Sequence, residues 1–464
     1  MVMPGHSETF QKLSPLTGEV LGTYPVTSYE QARELVAESR KSFATWKTTT
    51  IESRGRLIRK AAQLLEDRHS SLANIVRQET GKPLADSSGE IGGAIEMGYM
   101  LAAHGRFPLG KLLPSAIPLR QVRLSRVPLG VAALIVTYNA PIPNFAWKIF
   151  PALMAGNTVL IKPSPHTPAS ADAFVEILYE AGVPKDVLQV VHGDGSTAAG
   201  LIDGGADLVS FTGSHPTGLK VLEATSRTLA KTVIELGGSN PLVVFADAQI
   251  DKAAQAAIDS AFSNAGQRCA SASRVIVEHS VREAFLGAVR EKSSSLLVGT
   301  AENAHIGTLI DEPAAAACEN YLVECEKAGA RIERRGTLSD AFRSVVLPAV
   351  IVGLDPRSEL GNREVFGPVM RVYAFDSEQD AIDIANSTEF GLTAAVWSSD
   401  LVKAERVVAE IEAGVINING PTHGAEINFP FGGMKNSGNG SRDAGVEAID
   451  AYSDVRVVST FFGV

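Results

Sequence analysis

The sequence predicts an α/β protein: a Rossmann-type parallel sheet, a second α/β unit and a small projecting β element. Three observations predict it. Short apolar runs alternate with helix-patterned stretches from residue 131 to 226. A second alternation starts after Gly237-Gly238. Two segments far apart in the chain, "IPLRQVRLSRVPLG" and "YSDVRVVSTFFGV", alternate apolar and polar residues like exposed strands. Strands alternating with helices argue for a parallel sheet covered on both faces.

The elements follow in order. "SPLTGEVLGTYPV" alternates around Thr17-Gly18 and reads as a hairpin. From residue 28 to about 82 apolar residues recur at helical spacing, predicting a helix stopped by Gly81 and Pro83. A further helix covers 86–104. Residues from Ile117 read as an exposed strand punctuated by Pro118 and Pro128. Strands at 131–136, 158–162, 187–191 and 208–211 are each followed by a helix, at 145–154, 169–181, 196–203 and 217–226. The domain boundary falls near Gly238. Beyond it come helix 250–265, strand 274–277 and helix 281–297. The two exposed alternating segments are expected to pair, and the free edge of such a sheet calls for a partner, as in a homo-oligomer.

Bulk properties narrow the function. The 464 residues carry 42 basic and 52 acidic side chains, a net charge of −10, with no basic block to grip nucleic acid. Three cysteines make no disulfide framework, so a reducing compartment is expected. The start, "MVMPGHSETFQKL", lacks the apolar core of a secretory leader, and the run at 131–136 is too short to span a bilayer. The expectation is a cytoplasmic protein with no nucleic-acid or membrane partner.

Strand ends in an open parallel sheet are where ligands bind. "VLIKPSP" places Lys162 at such an end, able to reach ribose hydroxyls or a phosphate. "VSFTGSHPTG" places Gly213 and Ser214 at another, where a helix N-terminus suits a pyrophosphate. An ordinary strand-to-helix turn explains these glycines equally well, because no GxGxxG fingerprint is present.

Cys269 stands out in "SNAGQRCASAS" because small residues surround it. Arg268 beside it offers charge that favours a thiolate, or a plain surface ion pair. Cys318 and Cys325 fit buried apolar roles on a helix. Covalent chemistry on sulfur also needs an oxyanion donor and a base. Asn139, after a strand in "TYNAPIP", and Glu235, at a strand end in "VIELGGSNP", are placed to serve. Alone, each reads as a turn asparagine and a solvated glutamate.

Six stretches occur in an order that resembles the aldehyde dehydrogenase superfamily over nearly the whole chain. They are "TYNAPIPNFAWKIFPALMAGNTVLIKPS", "VSFTGSHPTG", "IELGGSNP", "NAGQRCA", "EVFGPV" and "FPFGGMKNSG". The resemblance implies an aldehyde dehydrogenase-like fold. Residues 1–108 and 129–237 would bind cofactor, 238–437 would be catalytic, and 109–128 with 450–464 would form oligomerisation strands. It implies oxidation of a small-molecule aldehyde to the acid with NAD or NADP, in the hydrolytic, non-CoA-acylating branch, by a homodimer or homotetramer. Cys269 would be the nucleophile and Glu235 the base that deacylates it. Asn139, with the Cys269 N–H, would form the oxyanion hole. Lys162, Ser164, Gly193, Gly195, Gly213, Ser214, Gly237, Glu364 and Phe366 would contact cofactor. Tyr138, Arg268, His423 and Phe431, together with Asn144 and Phe429, are the substrate-side candidates. No metal enters this reading.

The chain departs from the commoner family pattern at Pro165, where NAD-preferring members carry a ribose-binding glutamate. Losing that carboxylate removes a charge that would repel a 2′-phosphate, which makes NADP plausible. Two rival readings are a CoA-acylating relative, a branch that usually lacks the base glutamate, and a non-catalytic protein that keeps the fold.

Overall fold

The computed structural model describes residues 9–107, 110–340, 342–445 and 447–462. The first eight residues, on which the expectation about a leader partly rests, lie outside them. The N-terminal hairpin forms as expected, with Thr9–Leu13 antiparallel to Val20–Pro25. Gly18 turns it in the left-handed region, at φ 76°.

The helical run expected over 28–82 is three helices instead: Tyr29–Trp46, Ile51–Asp67 and His69–Thr80. The first break lies in a threonine run. Thr48 and Thr49 hydroxyls donate back to the carbonyls of Thr45 and Trp46, while the Thr50 hydroxyl accepts from Ser53 N and caps the next helix. Local side-chain bonds therefore end one helix and begin another. Ser28 opens the first with a capping box, and Gly81 closes the third in the left-handed conformation. Leu84–His104 follows as expected.

A five-stranded, all-parallel sheet comes next. Its spatial order is Leu188–Val190, Thr158–Lys162, Val131–Ile135, Leu208–Thr212, Lys231–Glu235. Alternate residues of Val131–Ile135 feed opposite faces. Leu134 joins the core of Phe145, Phe150 and Phe174, whereas Ala133 joins that of Val36, Leu160 and Leu201. Strand order reverses between Val131–Ile135 and Leu208–Thr212, which opens a crevice at their carboxyl ends.

The second sheet has seven strands. In order they are Arg331–Arg334, Ala349–Val352, Val369–Phe375, Arg274–Glu278, Pro241–Val244, Thr393–Trp397 and Val415–Ile418, parallel except for the first. Cys318 and Cys325 are buried in its core from helix Glu312–Lys327, as expected. Two helices are shorter than the sequence suggests. The one expected over 250–265 ends at Phe262, because Asn264 and Ala265 turn left-handed at φ 52° and 51°. The one expected over 281–297 is Arg282–Ser293.

The exposed segments do pair. Ser453–Phe461 runs antiparallel to Arg120–Pro128, with Lys111–Leu113 on the far side. Among the described residues the outer edge of Ser453–Phe461 is unpaired, and Val455 and Val457 on it are exposed. No helix among them is long and apolar enough to cross a membrane.

Candidate active site

The crevice at the strand-order reversal is a cavity of about 660 Å³. Cys269, Glu235 and Asn139 all line it. Each arrives from a different element. Asn139 follows strand Val131–Ile135 and precedes helix Pro141–Ala155, which starts with proline at its first position. Glu235 ends strand Lys231–Glu235. Cys269 follows the left-handed turn at Asn264 and Ala265.

Asn139 is fixed through its main chain. Its carbonyl accepts from Lys82 Nζ at 2.7 Å and from Asn264 Nδ2 at 3.1 Å. Lys82 Nζ also binds the Glu90 carboxylate. Among the described residues the buried Oδ1 of Asn139 has no hydrogen-bond partner. Asn139→Ala keeps the carbonyl bonds and removes the amide. We expect kcat/KM to fall about 10²- to 10³-fold, the usual cost of one oxyanion donor, with the melting temperature unchanged. Steady-state kinetics and a thermal melt check this.

Glu235 is buried, and among the described residues neither carboxylate oxygen has a hydrogen-bond partner. Burial raises its pKa well above the usual carboxylate range, and the Asp443 carboxylate adds to the rise. Lys148 and Arg442 act in the opposite direction. A carboxyl with no structural bond, held in a cavity beside a thiol, is poised for proton transfer.

The electrostatics at the thiol correct the expectation that Arg268 favours a thiolate. The Arg268 guanidinium faces Asp86 at 3.7 Å. Burial pushes the Cys269 thiol up to about 12, with the charges of Glu235 and Glu364 adding, against only the backbone N–H groups of Ala270 and Cys269. Small neighbours do leave the residue only partly buried and open to the cavity. The thiol is therefore held in its protonated form until sulfur bonds to carbon.

Sequence reasoning missed a buried pair beneath Glu235. Lys148 Nζ donates to Asp443 Oδ2 at 2.7 Å and to Ser210 Oγ at 2.9 Å, and Asp443 lines the cavity. A lysine inside the apolar helix "NFAWKIFPALM" was the available signal.

The four main substrate-side candidates, Tyr138, Arg268, His423 and Phe431, all reach the cavity, as does Asn144; Phe429 is not in its lining. Phe431 packs on Trp147 with ring centroids 5.8 Å apart. Tyr138 meets Phe366 edge-on at 6.0 Å. Burial, with the charge of Arg268, lowers the His423 pKa to about 4, so it is a neutral hydrogen-bonding group.

The cofactor candidates divide. Gly213, Ser214, Gly237, Glu364 and Phe366 line the same cavity. Lys162, Ser164, Gly193 and Gly195 do not, and sit at neighbouring strand ends. Lys162 Nζ donates to the carbonyls of Pro163 at 2.9 Å and Gly193 at 2.8 Å, and burial lowers its pKa to about 8. Ser164 Oγ accepts from His166 N. Gly195 opens helix Gly195–Asp203 with nothing packed where its side chain would be.

These residues fit a dinucleotide. A Cβ on Gly237 would stand 2.1 Å from Glu364 Oε2, so only glycine lets the carboxylate lie there. Gly238 N donates to Glu364 Oε1 at 3.1 Å, while burial pushes the Glu364 pKa up to about 7. Helix His215–Ser226 opens into the cavity with no side-chain cap on its first N–H groups, an arrangement ready for a phosphate.

A thiol, a carboxyl whose oxygens lack partners among the described residues, and an asparagine amide share one cavity at the mouth of a Rossmann-type sheet, a setting that fits a nucleotide-dependent oxidoreductase. The chain belongs to the aldehyde dehydrogenase family, whose model matches residues 2–458. It is 33% identical to a betaine aldehyde dehydrogenase of Sinorhizobium fredii over 98% of this chain and 94% of the relative. It is 32% identical to an NADP(+) succinate-semialdehyde dehydrogenase of Escherichia coli over 97% of this chain and 94% of that one. Among solved structures it superposes on a Staphylococcus aureus betaine aldehyde dehydrogenase bound to NAD+ with a TM-score of 0.94 at 30% identity, covering 98% and 92% of the two chains. An Escherichia coli NADP-dependent enzyme superposes equally, at TM-score 0.94 and 31% identity, over 98% and 95%. The protein is an NAD(P)-dependent oxidoreductase that converts an aldehyde to its acid.

Proposed function

We propose that this chain oxidises its aldehyde through a thioester on Cys269 that water cleaves. The observation that carries this reading is the unpartnered Glu235 carboxyl in the same cavity as the thiol. Cys269 sulfur bonds to the aldehyde carbon as the thiol proton passes to water in the cavity. The Asn139 amide and the Cys269 N–H hold the oxygen as charge develops on it. The chemistry supplied by the dinucleotide, when bound, is acceptance of a hydride from that carbon. Glu235 then takes a proton from water, which attacks the thioester and frees the acid and the thiol.

Gly213, Ser214 and the first turn of His215–Ser226 would hold the pyrophosphate, Glu364 the nicotinamide ribose, and Lys162 with Ser164 the adenosine ribose. Pro165 in place of a carboxylate favours NADP. Arg268 and His423 supply hydrogen-bond donors for a polar or acidic substrate tail. The unpaired edge of Ser453–Phe461 supports a homodimer or homotetramer, and three unpaired thiols support residence in the cytoplasm.

The test is reduced-nicotinamide absorbance across aliphatic, aromatic and carboxylated aldehydes, with NAD and NADP, with and without coenzyme A. Free acid as product, and higher kcat/KM with NADP, are expected. Acyl-CoA as main product overturns the hydrolytic step, a strong NAD preference overturns the cofactor choice, and silence across the panel overturns catalysis.

A further inference from the structure

Two arginines lie side by side inside the seven-stranded sheet. Arg274, on Arg274–Glu278, is in register with Arg371, on Val369–Phe375. Both are fully buried. Among the described residues neither guanidinium reaches a carboxylate, and all their hydrogen bonds run to carbonyls and hydroxyls. Two unpaired cations in a sheet core are costly, so what they hold bears on why they are there.

Arg274 has an ordinary task. It binds the carbonyls of Ile384 and Ala385, at the carboxyl end of helix Glu378–Asn386, where a cation meets the helix dipole. Arg371 does something different. Its main-chain N and its Nε both donate to the Ser273 carbonyl, at 3.1 and 3.0 Å. Ser273 closes the loop that carries Cys269. Arg371 Nη1 donates to the carbonyls of Leu360 at 3.0 Å and Arg363 at 2.9 Å, on the turn that leads into Glu364. One side chain thus bridges the nucleophile's loop and the segment carrying Glu364 and Phe366.

Two buried tyrosines complete the clamp. Tyr321 OH donates to the Leu360 carbonyl at 2.7 Å, and Tyr373 OH donates to the Gly361 carbonyl at 2.9 Å. Three carbonyls just before Glu364 are therefore held by donors from beneath. The segment needs holding, because Phe366 adopts a left-handed φ of 52°, a strained state for a bulky residue.

We propose that Arg371, with Tyr321 and Tyr373, is a positioning group that sets the spacing between Cys269 and the Glu364–Phe366 segment, and so aligns the nicotinamide end of the cofactor with the thiol. The proposal rests on the reading above that Glu364 and Phe366 contact the nicotinamide end. Arg371 touches neither cofactor nor substrate and acts through the two loops it joins. A lysine has one nitrogen where the guanidinium has a fork, so it cannot span both loops with the same geometry.

The experiment compares wild type, Arg371→Met, Arg371→Lys and the double variant Tyr321→Phe/Tyr373→Phe. Three quantities are measured: the Kd for NADPH by fluorescence titration, the KM for NADP and kcat with aldehyde, and hydrolysis of 4-nitrophenyl acetate without cofactor. The last uses the Cys269 site alone. Because misplacement by about 1 Å costs on the order of a hundredfold, Arg371→Met is expected to raise Kd and KM at least about tenfold and lower kcat, with ester hydrolysis within about threefold of wild type. Arg371→Lys should fall between. The double variant removes only hydroxyl groups and should raise Kd and KM a few-fold in the same selective way; it carries the test alone if Arg371→Met does not fold. Unchanged Kd and KM, or ester hydrolysis falling in step with dehydrogenation, overturns the proposal. A wild-type protein that hydrolyses the ester but neither binds nor reduces a dinucleotide overturns the underlying reading instead.

Discussion

Replacing Cys269 by serine is expected to lower kcat/KM for aldehyde oxidation by about a thousandfold or more, to the detection limit of a steady-state assay. Burial and two nearby carboxyl groups already push the thiol up to about 12. A hydroxyl starts from a much higher pKa and meets the same burial and the same carboxyls, so its alkoxide is out of reach. Sulfur is also the better nucleophile and the better leaving group when water attacks. The substitution is small and the site is open to the cavity, so the melting temperature and NADPH binding should stay near wild type. Activity retained at wild-type level would remove Cys269 from the chemistry.

Glu235→Gln should separate the two halves of the reaction. Amide and carboxyl have similar size, and neither Glu235 oxygen has a hydrogen-bond partner among the described residues, so packing survives the change. Deacylation loses its base, and steady-state kcat should fall roughly 10²- to 10⁴-fold. Rapid mixing should still show a first turnover of reduced cofactor, followed by a stall. The pH profile follows from the same group. Burial and Asp443 raise the Glu235 pKa, so its carboxylate forms at a higher pH than an ordinary glutamate's. Raising the pH populates the carboxylate, and wild-type kcat should climb on the alkaline side. The slow residual rate of Glu235→Gln should lack that limb. A variant that turns over steadily at wild-type rate, with the limb intact, would assign the base elsewhere.

Much of this site was legible in the sequence, for identifiable reasons. Cys269, Glu235 and Asn139 sit in short local motifs whose spacing is set by strand ends and turns, and the structure brings them to one cavity. The parallel sheets announced themselves through short apolar runs between helices. What stayed hidden depended on distant or three-dimensional relations. Lys148 and Asp443 are 295 positions apart, and neither residue alone signals the pair. Arg268 is adjacent to Cys269 in the chain, yet its charge is directed to Asp86, because adjacency along a loop does not set direction in space. The first break in the helical run comes from threonine hydroxyls that also fit a polar helix face. The left-handed Asn264 and Ala265 carry no glycine at those two positions to mark the turn. Arg371 is a charged residue in "VMRVYAF", a strand buried almost throughout, which alternation alone reads as its exposed side.

The central claim is that a carbonyl carbon becomes bonded to the sulfur of Cys269 during turnover. Intact-mass analysis of Glu235→Gln, quenched with acid after mixing with aldehyde and NADP, tests it most directly. The account predicts one adduct per chain, with the mass of the aldehyde less two hydrogens, in step with the first turnover of reduced cofactor and mapped by peptide digestion to Cys269. Reduced cofactor formed without that adduct, or an adduct on another residue, would contradict it.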